Sequence, residues 1–265
     1  MLPIGLQLYT LRQAAEQDFR GVLKRVADMG YKLVEPAGFW DLRPSEFIRI
    51  VRDLGMDVIS SHSPWAHNKA DIGVAMEEAE LLGLKRIVCG YPAENFKDLD
   101  AIKRTADNTN TMLEILSRNG FTLFQHNHDF EFQRLDGRLK YEIYRELVPG
   151  LKFELDSFWS TSLGQEDPVE MLKIFAADTI LLHLKDGWPK QDVSGSTMVN
   201  GILERQVELC PLGKGTLPLR ELVELAPSTV EALFVELDFC NEEMFSAVEQ
   251  SYRYLTENGL AKGNR

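Results

Sequence analysis

The chain has 265 residues, and its 41 acidic side chains against 29 basic ones leave a formal net charge of −12. That length suits one large α/β domain with a substantial core, so residues 1–265 read as a single domain. The acidic balance argues against a nucleic-acid surface, which needs a basic stripe to release counterions, and leaves a cation or a neutral polar ligand as the natural partner.

Cys89, Cys210 and Cys240 lie far apart, without zinc-site spacing, and read as reduced thiols of a cytoplasmic protein. No basic-then-apolar segment precedes the first alternating run, and no apolar stretch approaches membrane-spanning length, so no membrane partner is expected.

Along the chain, short β-rich runs alternate with amphipathic stretches. Strands are predicted at 4–9, 31–35, 57–62, 86–90, 121–126, 151–156, 179–184 and 232–237. Helical patterns fall between them at 18–29, 45–54, 72–82 and 98–119, and Gly30, Gly55, Gly83 and Gly120 stand where a left-handed residue would end a helix. Eight βα units in about 250 residues predict a closed (β/α)8 TIM barrel. A doubly wound open sheet would offer a glycine-rich first turn, whereas Thr10-Leu11-Arg12-Gln13 follows the first strand here. The long stretch 186–217, after the seventh strand, reads as a binding loop or lid.

Barrel enzymes carry their reactive groups at the C-terminal ends of strands. His62, His126, His128 and His183 stand at or just past such ends, and His67 follows in the loop after the third strand. Alternation puts His126 on the face of Phe124, Asp156 with Glu154, Lys185 with His183, and Glu236 with Phe234. If those faces point inward, imidazoles and carboxylates collect at one mouth. Such a cluster without a cation would leave costly desolvated charge. One divalent metal resolves that cost, and mixed oxygen and nitrogen donors suit Mn²⁺, Mg²⁺, Co²⁺ or Zn²⁺.

The segments QHNHDFEF (125–132), ELDSFW (154–159), LLHLKD (181–186), LGKGTL (212–217) and FVELDF (234–239), in this order and spacing, resemble the sugar phosphate isomerase/epimerase group of xylose isomerase-like TIM barrels. The resemblance implies a metal held by Asp156, His183 and Glu236. Where ketose epimerases have a glutamate as fourth ligand, the count from Gly120 reaches His126, with His128 as the alternative on the same face. It also implies an enzyme acting on a small sugar, in a group whose members often form homo-oligomers.

The implied reaction is proton transfer next to the carbonyl of a keto sugar, with the enediolate stabilised by the cation. A metal-bound neutral imidazole has no free basic lone pair, so Glu236 is the expected base. The candidates for the second acid–base group are Lys185, Glu35, His62 and whichever of His126 and His128 is not a ligand (His128, if His126 holds the metal). Lys185 is also placed to stabilise the developing oxyanion. Lysine 185 could instead pair with Glu154 or Asp186 at the rim, and Glu35 could cap a turn. Expected substrate contacts are Glu35, His62, Trp159, Trp188 and Lys214. The four tryptophans all follow strands, where their faces suit sugar rings or pack a lid. A lyase or dehydratase of an inosose or 3-keto-glycoside would use the same enediolate to expel a leaving group. A three-metal DNA-repair nuclease would need more ligands than five histidines provide, and a sugar-binding protein without turnover is the non-enzymatic alternative.

Overall fold

The computed structural model describes residues 1–189, 197–199, 202–204 and 207–264. The strands are β1 (Ile4–Gln7), β2 (Leu33–Glu35), β3 (Arg86–Cys89), β4 (Thr122–His126), β5 (Arg134–Leu135), β6 (Arg138–Leu139), β7 (Lys152–Asp156), β8 (Thr179–Leu184), β9 (Asp186–Pro189), β10 (Thr197–Val199), β11 (Ile202–Glu204), β12 (Val207–Cys210) and β13 (Ala232–Val235). The helices are α1 (Arg12–Met29), α2 (Pro44–Asp53), α3 (Ile72–Leu82), α4 (Leu99–Arg118), α5 (Lys140–Leu147), α6 (Pro168–Phe175), α7 (Leu219–Glu224) and α8 (Met244–Glu257). Seven strands form one parallel sheet in the order β2-β1-β13-β8-β7-β4-β3, curled with the helices into a barrel.

The run 57–62, expected as the third strand, is not a regular strand. It fills the gap between β2 and β3 through single bridges. Asp57 exchanges backbone bonds with Lys32 and Val34, His62 N donates to Pro36 O at 2.8 Å, and Ala66 N donates to Val88 O at 2.9 Å. Ser61 Oγ accepts from Ser63 N (3.0 Å) and donates to Ser63 O (2.8 Å). Such local side-chain bonds offer the backbone an alternative to a ladder, which hydrophobic alternation alone does not report.

Local chemistry places the helix ends where expected. Asp98 caps α4 by accepting from Ala101 N, and Gly30, Gly55, Gly83 and Gly120 all have positive φ. Helix α1 begins earlier than its pattern but breaks at Asp18 (φ −154°, ψ 83°), whose carboxylate accepts from Gly21 N. The stretch expected to be an irregular loop after β8 is partly a ladder, with β9 antiparallel to β12 and β10 to β11; residues 190–196, 200–201 and 205–206 of that expectation lie outside the described residues.

Inside the barrel, Leu33, Val88, Phe124, Leu181, Ala232 and Phe234 form an apolar floor distinct from the core between strands and helices. Gly5 makes room for it: a Cβ there would lie 2.3 Å from the Phe234 ring. Phe234 is fully buried, so Phe234→Ala is expected to cost about 3–5 kcal/mol in a urea titration, as large-to-small core changes do. Two residues beyond Leu33, Phe124, Leu181 and Phe234 stand Glu35, His126, His183 and Glu236, polar groups of the site. The three cysteines are unpaired, and no helix among the described residues is long and apolar enough to cross a membrane.

Candidate metal and substrate site

The alternation that buries the floor carries Gln7, Glu35, Glu154 and His183 into the barrel one layer above it, with His126, Asp156, Lys185 and Glu236 toward the mouth; all are buried. Parallel register sets these groups side by side: Gln7 opposite Glu35, His126 opposite Glu154, and Asp156 opposite His183.

Asp156 is held from two sides. Its Oδ1 accepts from Phe158 N (2.9 Å) and Trp159 N (2.8 Å), and its backbone N donates to Asn127 Oδ1 (2.9 Å). That leaves Oδ2 facing His126 Nε2 at 3.5 Å and Lys185 Nζ at 2.8 Å. His183 faces carboxylates through both ring nitrogens. Nδ1 meets Glu236 Oε2 at 2.7 Å, while Nε2 meets Glu35 Oε2 at 2.8 Å and Glu154 Oε1 at 3.1 Å. His62 Nε2 lies 2.5 Å from Glu154 Oε2, and Gln7 Nε2 donates to Glu35 Oε2 at 2.6 Å.

Two groups of donors result, sharing His183. One is His126, Asp156, His183 and Glu236; the other is Glu35, His62, Glu154 and His183; within each, one ligand atom per residue lies within 4.8 Å of the rest. They differ in how they are satisfied. The deeper group is largely closed by the imidazole–carboxylate contacts just given. In the outer group both nitrogens of His126 lack a hydrogen-bond partner although the residue is only 4% exposed. Its 3.5 and 3.8 Å approaches to Asp156 and Glu236 are too long for hydrogen bonds. An orphaned buried imidazole aimed at two carboxylates is costly, and a divalent cation is the partner its chemistry fits.

The electrostatics follow the same division. Burial lowers His126 to about 3, helped by repulsion from His183 and His62, so its imidazole is neutral at neutral pH. Burial would also lower His183, but Glu154, Glu236 and Glu35 override it and raise its pKa well above the usual range. Burial pushes Glu236 upward, and Lys185 and His183 more than reverse this, holding it well below the usual carboxylate range. Glu154 is likewise depressed against burial, by His183 and His62, whereas burial and the neighbouring Glu154 raise Glu35.

Above these groups opens a pocket of about 370 Å³, lined by Tyr9, Ala37, His62, Trp65, His126, His128, Asp129, Trp159, Lys185, Glu236 and Asp238. Lys185 is 1% exposed and pairs with Asp156 (2.8 Å), Glu236 (2.9 Å) and Asp238 (2.8 Å), not with Glu154 or Asp186. His128 sits at the rim with its side chain 45% exposed and is outside both donor groups.

Three expected substrate contacts do not line this pocket. Glu35 is fully buried behind His183 and caps no turn. Trp188 lies on β9, 40% exposed. Lys214 is drawn away by Glu242 at 2.8 Å, because the Gly213–Gly215 turn wraps the Asp186 carboxylate, which accepts from the backbone N–H groups of Gly187, Gly213, Gly215 and Leu217. Of the other tryptophans, Trp65 and Trp159 reach the pocket, while Trp40 packs on Phe19 at 4.5 Å. Sequence reasoning missed Asp238, which the parity that places Glu236 would have found. It also missed Tyr9 and Asp129, whose turns carry no such periodic signal.

A parallel barrel with buried, mixed carboxylate and imidazole donors at the C-terminal ends of its strands defines the class. Residues 23–229 match the family model described as "Xylose isomerase-like TIM barrel", and the chain belongs to that family. Among solved structures it is similar to a sugar phosphate isomerase/epimerase from Parabacteroides distasonis (24% identity, 98% of this chain and 96% of that one, TM-score 0.72). It is also similar to the probable 3-DHS dehydratase AsbF of Bacillus anthracis (11% identity, 96% and 99% covered, TM-score 0.73) and to the IOLI protein with a binding zinc atom (14% identity, 97% of both chains, TM-score 0.68). No curated protein matches the chain.

Proposed function

We propose that the protein is a divalent-metal-dependent isomerase or epimerase that moves a proton next to the carbonyl of a keto sugar. The observation that carries this reading is the unpartnered, neutral His126 converging with Asp156, Glu236 and His183 beneath a pocket lined by indoles. His126 would present Nε2 to the cation and His183 its Nδ1, since its Nε2 faces Glu35 and Glu154. Such outer carboxylates fix a ligating imidazole's tautomer and strengthen it as a donor.

A divalent cation held there supplies Lewis-acid polarisation of a carbonyl oxygen. Glu236, ionised and lining the pocket, is the proton acceptor. Lys185, 2.9 Å from Glu236 and lining the same pocket, stabilises negative charge developing on the substrate oxygen. His62, His128 and Asp238 border the same space and are the groups placed to return a proton. Glu35 is not, because it is fully buried and does not line the pocket.

The test is solvent exchange. Incubated in D2O with metal and keto sugars, the protein is expected to place deuterium at the carbon beside the carbonyl, and Glu236→Gln to slow this by about 10²–10⁴-fold. Release of free aglycone from a keto-glycoside would mark elimination as the reaction instead. Absence of both with metal-loaded protein would overturn the enzymatic reading.

Metal binding should depend on pH. Glu154, Glu236 and Glu35 hold the His183 pKa well above its usual range, so ligation through Nδ1 competes with a proton. Affinity is therefore expected to fall roughly tenfold for each unit of pH lost, the slope for one proton released. Competition titrations with a metal-sensitive dye between pH 6 and 8 check this; a flat profile would contradict it.

A further inference from the structure

We infer that the substrate is a neutral, unphosphorylated sugar or glycoside that lays one ring face on Trp65. This rests on the proposed sugar chemistry and adds the class of sugar.

The charges lining the pocket carry the first half. Among the described lining residues, carboxylates come from Asp129, Glu236 and Asp238, and the one lysine or arginine is Lys185. Lys185 is already surrounded by three carboxylate oxygens at 2.8–2.9 Å. Arg12, the nearest guanidinium in sequence to the pocket wall, is also occupied: it donates to the carbonyls of Tyr9 (2.9 Å) and Asp238 (2.7 Å) and lies 4.0 Å over the Tyr9 ring. Lys214 pairs with Glu242 outside the pocket. A phosphate monoester needs arginine, lysine or a set of converging N–H donors. Beside the imidazoles of His62 and His128 it would meet Asp129 and Asp238, and carboxylates brought against a phosphate in a partly dry pocket repel it. The same carboxylates accept hydrogen bonds from sugar hydroxyls without penalty.

The second half rests on how Trp65 is seated. Its indole lies across Gly90 at the end of β3, where a Cβ would fall 2.0 Å from Trp65 Cζ3, so only glycine permits this placement. The indole meets the His62 ring edge-on at 4.9 Å and the His126 ring at 6.4 Å. A flat apolar surface is thereby fixed beside the donor His126, in the wall of the same pocket. The C–H face of a pyranose suits such a surface, as aromatic side chains contribute large contact area at little entropic cost.

The test is a matched pair of probes, 3-keto-D-glucose and its 6-phosphate, with D-fructose and D-fructose 6-phosphate as a second pair. Each is followed by deuterium uptake from D2O with metal-loaded protein. The neutral members are expected to have kcat/KM at least tenfold above their phosphates. Trp65→Ala should raise KM for the neutral sugar about tenfold with little change in kcat, and Trp65→Phe should recover most of the loss. Exchange that is faster for the phosphates, or a Trp65→Ala protein with unchanged KM, overturns this inference and leaves the proposed function standing. Failure of all four sugars to exchange overturns the proposed function, and this inference with it.

Discussion

Asp156→Asn and His183→Ala are each expected to abolish stoichiometric binding of a divalent cation, measured by elemental analysis and calorimetry on the purified variants. Asp156 has one oxygen spent on the N–H groups of Phe158 and Trp159, so a single oxygen faces His126 and Lys185. An asparagine there keeps the turn but gives up the negative charge. His183 is shared by both donor groups, so its loss dismantles either candidate arrangement. The affinity lost should exceed the roughly 10–100-fold that removal of an outer-shell partner costs. Glu154→Gln supplies that comparison, because Glu154 faces His183 through Nε2, on the side away from Glu236. Parent-like binding by Asp156→Asn would show that the cation, if any, is held elsewhere.

Lys185→Met should have the largest effect on the metal-free protein. The ammonium is 1% exposed and is the shared countercharge of Asp156, Glu236 and Asp238. These carboxylates do not titrate alike. Burial pushes Asp156 upward, and Lys185 and His126 bring it below its ordinary value, whereas burial and repulsion from Glu236 hold Asp238 above its own despite Lys185. Removing one partner of a buried ion pair leaves uncompensated charge and costs about 3–5 kcal/mol, so metal-free Lys185→Met is expected to melt well below the parent. A divalent cation would restore much of that loss, since it supplies the missing positive charge to Asp156 and Glu236. The variant should therefore gain more thermal stability from metal than the parent does. Equal gains in the two proteins would show that lysine and cation do not serve the same carboxylates.

How much of this was legible in the sequence varies with range. The alternation of strands and amphipathic helices led directly to the parallel barrel, because one inward-facing side chain in two is a local rule. Helix ends at Gly30 and Gly83 were equally plain, since a left-handed cap depends on one residue. The segment 57–66 was not, because serine side chains compete with the ladder and its pairing partners are β2 and β3, distant in sequence. For the site, parity brought His126, Asp156, His183, Lys185 and Glu236 to one mouth. It could not say that His128, two residues beyond the end of its strand, would turn to the rim, nor that the Gly213–Gly215 turn would serve Asp186 and send Lys214 outward.

By itself, then, the sequence determined the periodic features: which residues face inward, where strands end, and hence which donor types a barrel mouth would collect. Tertiary structure alone decided their pairing. Both nitrogens of His183 are committed to carboxylates from β2, β7 and the end of β13, while both nitrogens of His126 are left without a partner. Lys185 is the countercharge of three acids that lie 29, 51 and 53 residues away in the chain. Hydrogen bonds and ion pairs of this kind depend on distances between strands remote in sequence, and these exist only once the barrel has closed.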